Sequence, residues 1–215
     1  MIFFMWNRRY SRRGALFAAA AAGVTGLSWL ACSRATLLDY PFSGPAADRS
    51  LGLASPLACT RAIPETTEGP FYTPGTPLRT SLREPGSNGR SLVLQGLVLS
   101  PDCRPIGGAV VDIWHADENG RYDNSGFRYR GHQYTDAAGA FRFETIRPVR
   151  YTGRTPHIHV KVQGRSTRLL TTQIYFPDVP EDNARDRIFH DDLLMDLRRT
   201  SQGWLGRFDF VLAPA

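Results

Sequence analysis

Long helical patterns are scarce in this chain, which points away from helix-rich folds. No internal repeat is present, so solenoid and propeller architectures are set aside. Positive charge is also in short supply once its location is considered. The whole sequence has 26 basic and 20 acidic residues, net +6, but Arg8, Arg9, Arg12 and Arg13 lie within the first 32 residues, which hold no acid. Without them 22 bases face 20 acids, net +2, and a nucleic-acid partner is discounted. Cysteine is rare as well, with three in all. Setting Cys32 aside leaves Cys59 and Cys103, which can pair in an oxidising compartment or stand as two buried thiols. Closing that loop would stabilise the fold by roughly 4 kcal/mol on the chain-entropy argument.

What the chain does have is proline, glycine and aromatics in quantity, with 215 residues, enough for one well-cored domain. Residues 1–32 read as an export signal. A charged start, Asn7-Arg-Arg-Tyr-Ser-Arg-Arg-Gly14, precedes an alanine-rich apolar run at 15–31 and resembles the twin-arginine type. A transmembrane anchor is the competing reading, but Ala and Gly leave the run only weakly apolar. Trp29-Leu30-Ala31-Cys32 resembles a lipoprotein cleavage box. If Cys32 is lipidated the mature chain is tethered, and otherwise cleavage near Ala31 releases it; no other membrane contact is expected. Residues 33–58 read as a linker, and 59–215 as the folded domain, exported to a periplasmic or extracellular location.

Within that domain, residues 91–99 are the clearest strand, with near-continuous apolar residues that predict cover on both faces. Residues 109–115 form a second strand, with Val111, Ile113 and His115 on one face and Val110, Asp112 and Trp114 on the other. The Asn119-Gly120 turn delivers Tyr122. Residues 133–135 and 140–145 flank a turn and predict a hairpin. Strands at 157–162, 169–176 and 208–212 follow, with a short helix at about 183–197. Six or seven strands with frequent turns predict an all-β fold: a β-sandwich of mostly antiparallel strands with long loops and at most one short helix.

His157 and His159 stand two apart on a predicted strand, so both imidazoles point the same way. Tyr151 precedes them by six residues, Arg154 lies between, and Tyr122 comes from the earlier turn. Two phenolates and two imidazoles combine hard anionic oxygen with borderline nitrogen, which favours a small, highly charged ion over zinc or calcium. Non-haem Fe(III) is the natural candidate. Two phenolates and one hydroxide would cancel its three charges, and a neutral site exchanges hydroxide for another anionic oxygen ligand at little electrostatic cost.

In their order along the chain, Trp114-His115-Ala116-Asp117, Gly120-Arg121-Tyr122, Thr135-Asp136-Ala137-Ala138-Gly139, Thr145-Ile146-Arg147-Pro148, Tyr151, Arg154-Thr155-Pro156-His157-Ile158-His159 and Gln173 resemble the intradiol ring-cleavage dioxygenases. The resemblance covers roughly residues 59–212. It implies a β-sandwich and a non-haem Fe(III) held by Tyr122, Tyr151, His157 and His159, with Tyr151 the ligand that leaves when substrate binds. It further implies that a small-molecule catechol and O2 are the partners, and that Arg154 and Gln173 act on the substrate. Glu68-Gly69-Pro70-Phe71-Tyr72 resembles the family segment near the site mouth and places Tyr72 at the substrate.

The connection from Tyr151 to His157 is short, which implies a shallow, open pocket. No helical N-terminal extension for dimerisation is apparent, and homo-oligomerisation stays open. The short loop, leader and cysteine pair resemble the secreted branch of the family. The alternative is an exported, non-catalytic β-sandwich binding module with a metal on the His-x-His pair. An Fe(II) oxygenase with two histidines and a carboxylate ranks below both, having no use for two tyrosines.

Overall fold

A computed structural model describes residue 59 and residues 63–215. The leader, Cys32 and the linker at 33–58 lie outside the described residues. Among the described residues nine strands follow in order: β1 Ser91–Leu99, β2 Val110–Trp114, β3 Arg130–Tyr134, β4 Ala140–Ile146, β5 His157–Gln163, β6 Leu170–Tyr175, β7 Asp196–Thr200, β8 Gly203–Arg207 and β9 Phe210–Val211. One sheet runs β4-β1-β8-β7 with β9 paired to β1, and the other runs β3-β2-β5-β6. Among the described strands, only β1 with β8 and β1 with β9 pair with each other in parallel. Leu92, Leu94, Val98, Phe141 and Phe143 from the first sheet meet Val111, Ile113, Ile158, Val160 and Ile174 from the second in a single buried core. The expected β-sandwich is the observed fold.

Period-two geometry decides where the chemistry sits. Ile158, Val160 and Val162 of β5 face the core, so the alternating residues His157, His159 and Lys161 occupy the outer face of the second sheet. Cross-strand partners share a face, and the register places Trp114, His159 and Gln173 in one row across β2, β5 and β6. Tyr175 lies opposite His157 in the same way. Residues 63–76 cover this face: Thr66 N donates to Thr171 O (2.9 Å), and Thr172 Oγ1 donates to Pro64 O (2.7 Å).

Three local expectations are corrected. Strand β1 has the expected extent but alternates between buried and half-buried residues, so one face only is core. Strands β3 and β4 are not a hairpin, because they belong to opposite sheets. The turn at Asp136 crosses the sandwich, and Gln133 bridges the gap with its amide, donating to Arg142 O (2.7 Å) and accepting from Arg142 N (3.2 Å). The helix, α1, is Pro180–Arg185 rather than 183–197, with one 3-10 turn at Asp191–Leu193 after it. Pro180 starts α1 because it needs no amide partner there, and Asp186 ends it in an extended conformation.

Cys59 and Cys103 form a disulfide with a Cα–Cα separation of 5.3 Å. Cys59 is buried against Leu99 and Val211, which ties the start of the covering segment to the end of the sandwich.

Candidate metal centre

His157 is held before any ligand is considered. Its Nδ1–H donates to Thr155 O at 2.6 Å, which fixes the tautomer and leaves Nε2 bare. That Nε2 lies 3.1 Å from His159 Nε2 and 3.3 Å from the Tyr122 hydroxyl. Burial, assisted by the Arg154 charge, pushes His157 down to about 4, and burial beside His157 and Arg154 pushes His159 well below the ordinary range. Both rings are therefore neutral at neutral pH, with nitrogen lone pairs that could hold a metal.

The other walls of the cluster are aromatic. Trp114 stacks on His159, with centroids 4.8 Å apart and planes at 7°. Phe71 stacks on Tyr122 at 4.6 Å and meets Tyr151 edge-on at 5.8 Å. Tyr151 stands edge-on to Tyr122 at 5.3 Å and 5.8 Å from His157. Gly69, at φ +69°, passes over His159: a Cβ there would meet His159 Cε1 at 3.4 Å. Burial, with Tyr151 as neighbour, pushes the Tyr122 phenol well above its usual value. Ionisation of Tyr122 therefore requires a cation close by.

These residues fit a metal ion with nitrogen and phenolic-oxygen donors. A bare His157 nitrogen, the facing His159 nitrogen and a buried phenol converge with nothing of opposite charge among them. Among the described residues no three His, Cys, Asp or Glu side chains come together, so a two-histidine, one-carboxylate site is not assembled there. The remaining donors at this cluster are tyrosines.

Tyr151 starts a tight turn closed by Arg154 N donating to Tyr151 O (2.7 Å), with Thr152 at φ 30° and Gly153 at φ 74°. Beside it lies a cavity of about 260 Å³ lined by Arg150, Tyr151, Arg154, Thr155, Asp182 and Arg185. Arg154 is fixed by two bonds, Nε to Asp186 Oδ2 (2.8 Å) and Nη2 to Gln173 Oε1 (2.6 Å). The amide of Gln173, wholly buried, also accepts from the Tyr175 hydroxyl (3.0 Å) and donates to Thr67 O (3.0 Å).

Thus Tyr122, Tyr151, His157, His159, Arg154 and Gln173 are brought to one place. Tyr72 is not: its hydroxyl turns to Asp112 Oδ2 (3.3 Å), and its ring packs on Trp114, one layer removed from His159. Its neighbour Phe71 takes the position against the tyrosines. Sequence reasoning also passed over Tyr175 and Asp186. Tyr175 had a signal, since it lies two residues from Gln173 on the same strand. Asp186 had none, since the fold alone brings it to Arg154 across 32 residues.

A family model described as "Dioxygenase" matches residues 67–214. The dioxygenase domain of a dioxygenase and carbohydrate-binding protein fusion from Streptomyces sp. SirexAA-E is 45% identical, with a TM-score of 0.69 over 72% of this chain and 100% of that one. Catechol 1,2-dioxygenase from Pseudomonas arvilla C-1 is 30% identical, with a TM-score of 0.65 over 71% of this chain and 62% of that one. Catechol 1,2-dioxygenase 1 of Acinetobacter lwoffii is 32% identical over 157 residues, 60% of this chain and 49% of that protein. The chain spans about half the length of the curated relatives of this kind that it matches.

Proposed function

Because the chain belongs to the intradiol ring-cleavage dioxygenase family, we propose that it is an exported enzyme that opens a catechol between its two hydroxyl-bearing carbons. O2 supplies both oxygen atoms added, and the product is a cis,cis-muconate-type diacid. The observation that carries this reading is the convergence of two neutral imidazole nitrogens, 3.1 Å apart, with the Tyr122 hydroxyl and the Tyr151 ring. Held by Tyr122, Tyr151, His157 and His159, a non-haem Fe(III) would supply the charge that binds a catechol as its dianion and makes the ring reactive towards O2.

The protein's own groups divide the remaining work. Tyr122, stacked under Phe71, is the tyrosine built to stay in place. Tyr151 sits on a tight turn at the cavity and is half-buried, and as a phenolate it would take up a proton from the entering catechol. Arg154 offers a fixed positive charge where negative charge builds on the ring, an interaction that needs no reorganisation during reaction. Gln173, with its carbonyl oxygen committed to Arg154 and Tyr175, acts by holding Arg154. Trp114, Phe71 and Gly69 close the rear of the site to water.

Export is supported by the leader and by the Cys59–Cys103 disulfide, which belongs to an oxidising compartment. The test of the activity is oxygen uptake by iron-loaded protein across simple, carboxylated, chlorinated and hydroxylated catechols, with products identified. Uptake with a ring-opened diacid is expected from at least one; no uptake from any contradicts the assignment.

A further inference from the structure

One buried carboxylate lies outside the donor set yet governs the residues beside it. Asp186 has a side chain 1% exposed. Its Oδ2 accepts from Arg154 Nε (2.8 Å) and from Thr155 N (3.0 Å), and its Oδ1 accepts from Ile188 N (3.1 Å). A carboxylate this deep is tolerated only when paired and hydrogen-bonded, and here it has three donors, one of them a cation.

The local chain is shaped to deliver it. Helix α1 ends at Asp186, whose own N–H donates to Asn183 O. Asn183 in turn accepts from Thr155 Oγ1 (2.6 Å) and donates to Phe176 O (2.9 Å), so the helix is docked on the loop that carries Arg154.

A guanidinium is planar, and two bonds at different nitrogens define its plane. Asp186 engages Nε and Gln173 engages Nη2, which leaves Nη1 as the terminus that neither of them holds. Resting on the function proposed above, we propose that Asp186 is the positioning residue of Arg154, setting the guanidinium plane from which Nη1 meets the reacting catechol. The same carboxylate fixes Thr155, whose carbonyl accepts from His157 Nδ1, so Arg154 and His157 share one support.

The test uses iron-loaded wild type, Asp186→Asn, Arg154→Gln and the double variant. Asp186→Asn is expected to lower kcat by about 10- to 100-fold with KM within about threefold, the scale of a catalytic group displaced by about an ångström. In the Arg154→Gln background the same substitution is expected to cost nothing further in kcat. An equal loss in both backgrounds means that Asp186 serves only the loop, and overturns the proposal. Should the wild type consume no O2 with any catechol, the activity assignment fails on its own, and the Arg154 Nε–H of the metal-free protein decides. Its NMR resonance, assigned by its loss in Arg154→Gln, is expected to exchange slowly in the wild type and rapidly in Asp186→Asn. Equal exchange in the two overturns the positioning role.

Discussion

His157 and His159 present their Nε2 atoms to one another at 3.1 Å, with the Nδ1–H of His157 already committed to the backbone. Two imidazole nitrogens rest at that distance with one hydrogen between them, as a neutral His159 Nε2–H supplies, or with a cation in its place, and burial keeps both rings from taking up a second proton. Replacing either histidine with alanine is therefore expected to remove most of the bound iron, measured as metal content after reconstitution. Iron retained at the wild-type level in both variants would contradict the ligand assignment.

The two tyrosines are expected to differ. Tyr151→Phe keeps the iron but removes the proton acceptor, lowering kcat by about 100-fold. Tyr122→Phe weakens iron binding itself. Metal content and turnover of the two purified variants, side by side, check the division, and identical behaviour would remove it.

His115 is a buried histidine outside this cluster, with Nδ1–H donated to Ala116 O (2.8 Å) and Nε2 facing Thr145 Oγ1 (2.7 Å) across the sandwich. Burial pushes it down to about 4. The unfolded chain, with a value near 6.5, takes up its proton first as the pH falls. The stability that the neutral ring contributes is thus complete above about pH 6.5 and lost towards pH 4, by on the order of 3 kcal/mol. Asp112 works the other way: burial pushes it up to about 6, so it contributes below its unfolded value and loses that contribution as the pH rises through about 6. The measurement is accordingly a difference. Urea midpoints of wild type and His115→Asn should converge between neutral pH and about pH 4.5, and a constant gap would contradict the account.

How much of this was readable from residues alone follows from which interactions are local. The His-x-His pair and the core face of β5 were readable because period-two alternation is a property of the strand itself. The strand at Ser91–Leu99 was found with its correct limits, yet its apolar run hid that only Leu92, Leu94, Gly96 and Val98 point inward. The turn at Asp136 was readable as a turn, but nothing nearby says that β3 and β4 part company across it; the deciding contact is the Gln133 amide on Arg142. Strands β7 and β8 were missed because Arg198, Arg199 and two glycines give no apolar alternation, and pairing with β1 supplies what the pattern lacks. Asp186 reaches Arg154 only through the fold.

Gly120 links the turn bearing Tyr122 to the segment bearing Tyr151. At φ +74°, a Cβ there would lie 2.7 Å from Arg150 O and 3.5 Å from Tyr151 Cβ. Gly120→Ala is expected to cost about 1–3 kcal/mol in backbone strain and to displace Tyr151, lowering turnover. Gly86→Ala, at φ +77° with nothing within 4 Å, carries the strain without the contact. Turnover of the two variants separates the effects, and equal turnover would deny that Gly120 positions Tyr151.

The disulfide closes a sequence separation of 44 residues. Replacing Cys59 and Cys103 with serine is expected to lower stability by up to about 4 kcal/mol, read from urea unfolding with and without reductant. Reductant should shift the wild type and leave the double variant unmoved.

Two tyrosines and two histidines are proposed to share one ferric ion, and the visible spectrum of the iron-reconstituted protein decides whether they do. The expected result is a broad red-brown tyrosinate-to-Fe(III) absorption that changes when a catechol is added without O2 and is strongly reduced in Tyr122→Phe. A protein that binds iron yet stays colourless, or whose colour is indifferent to Tyr122, would contradict it.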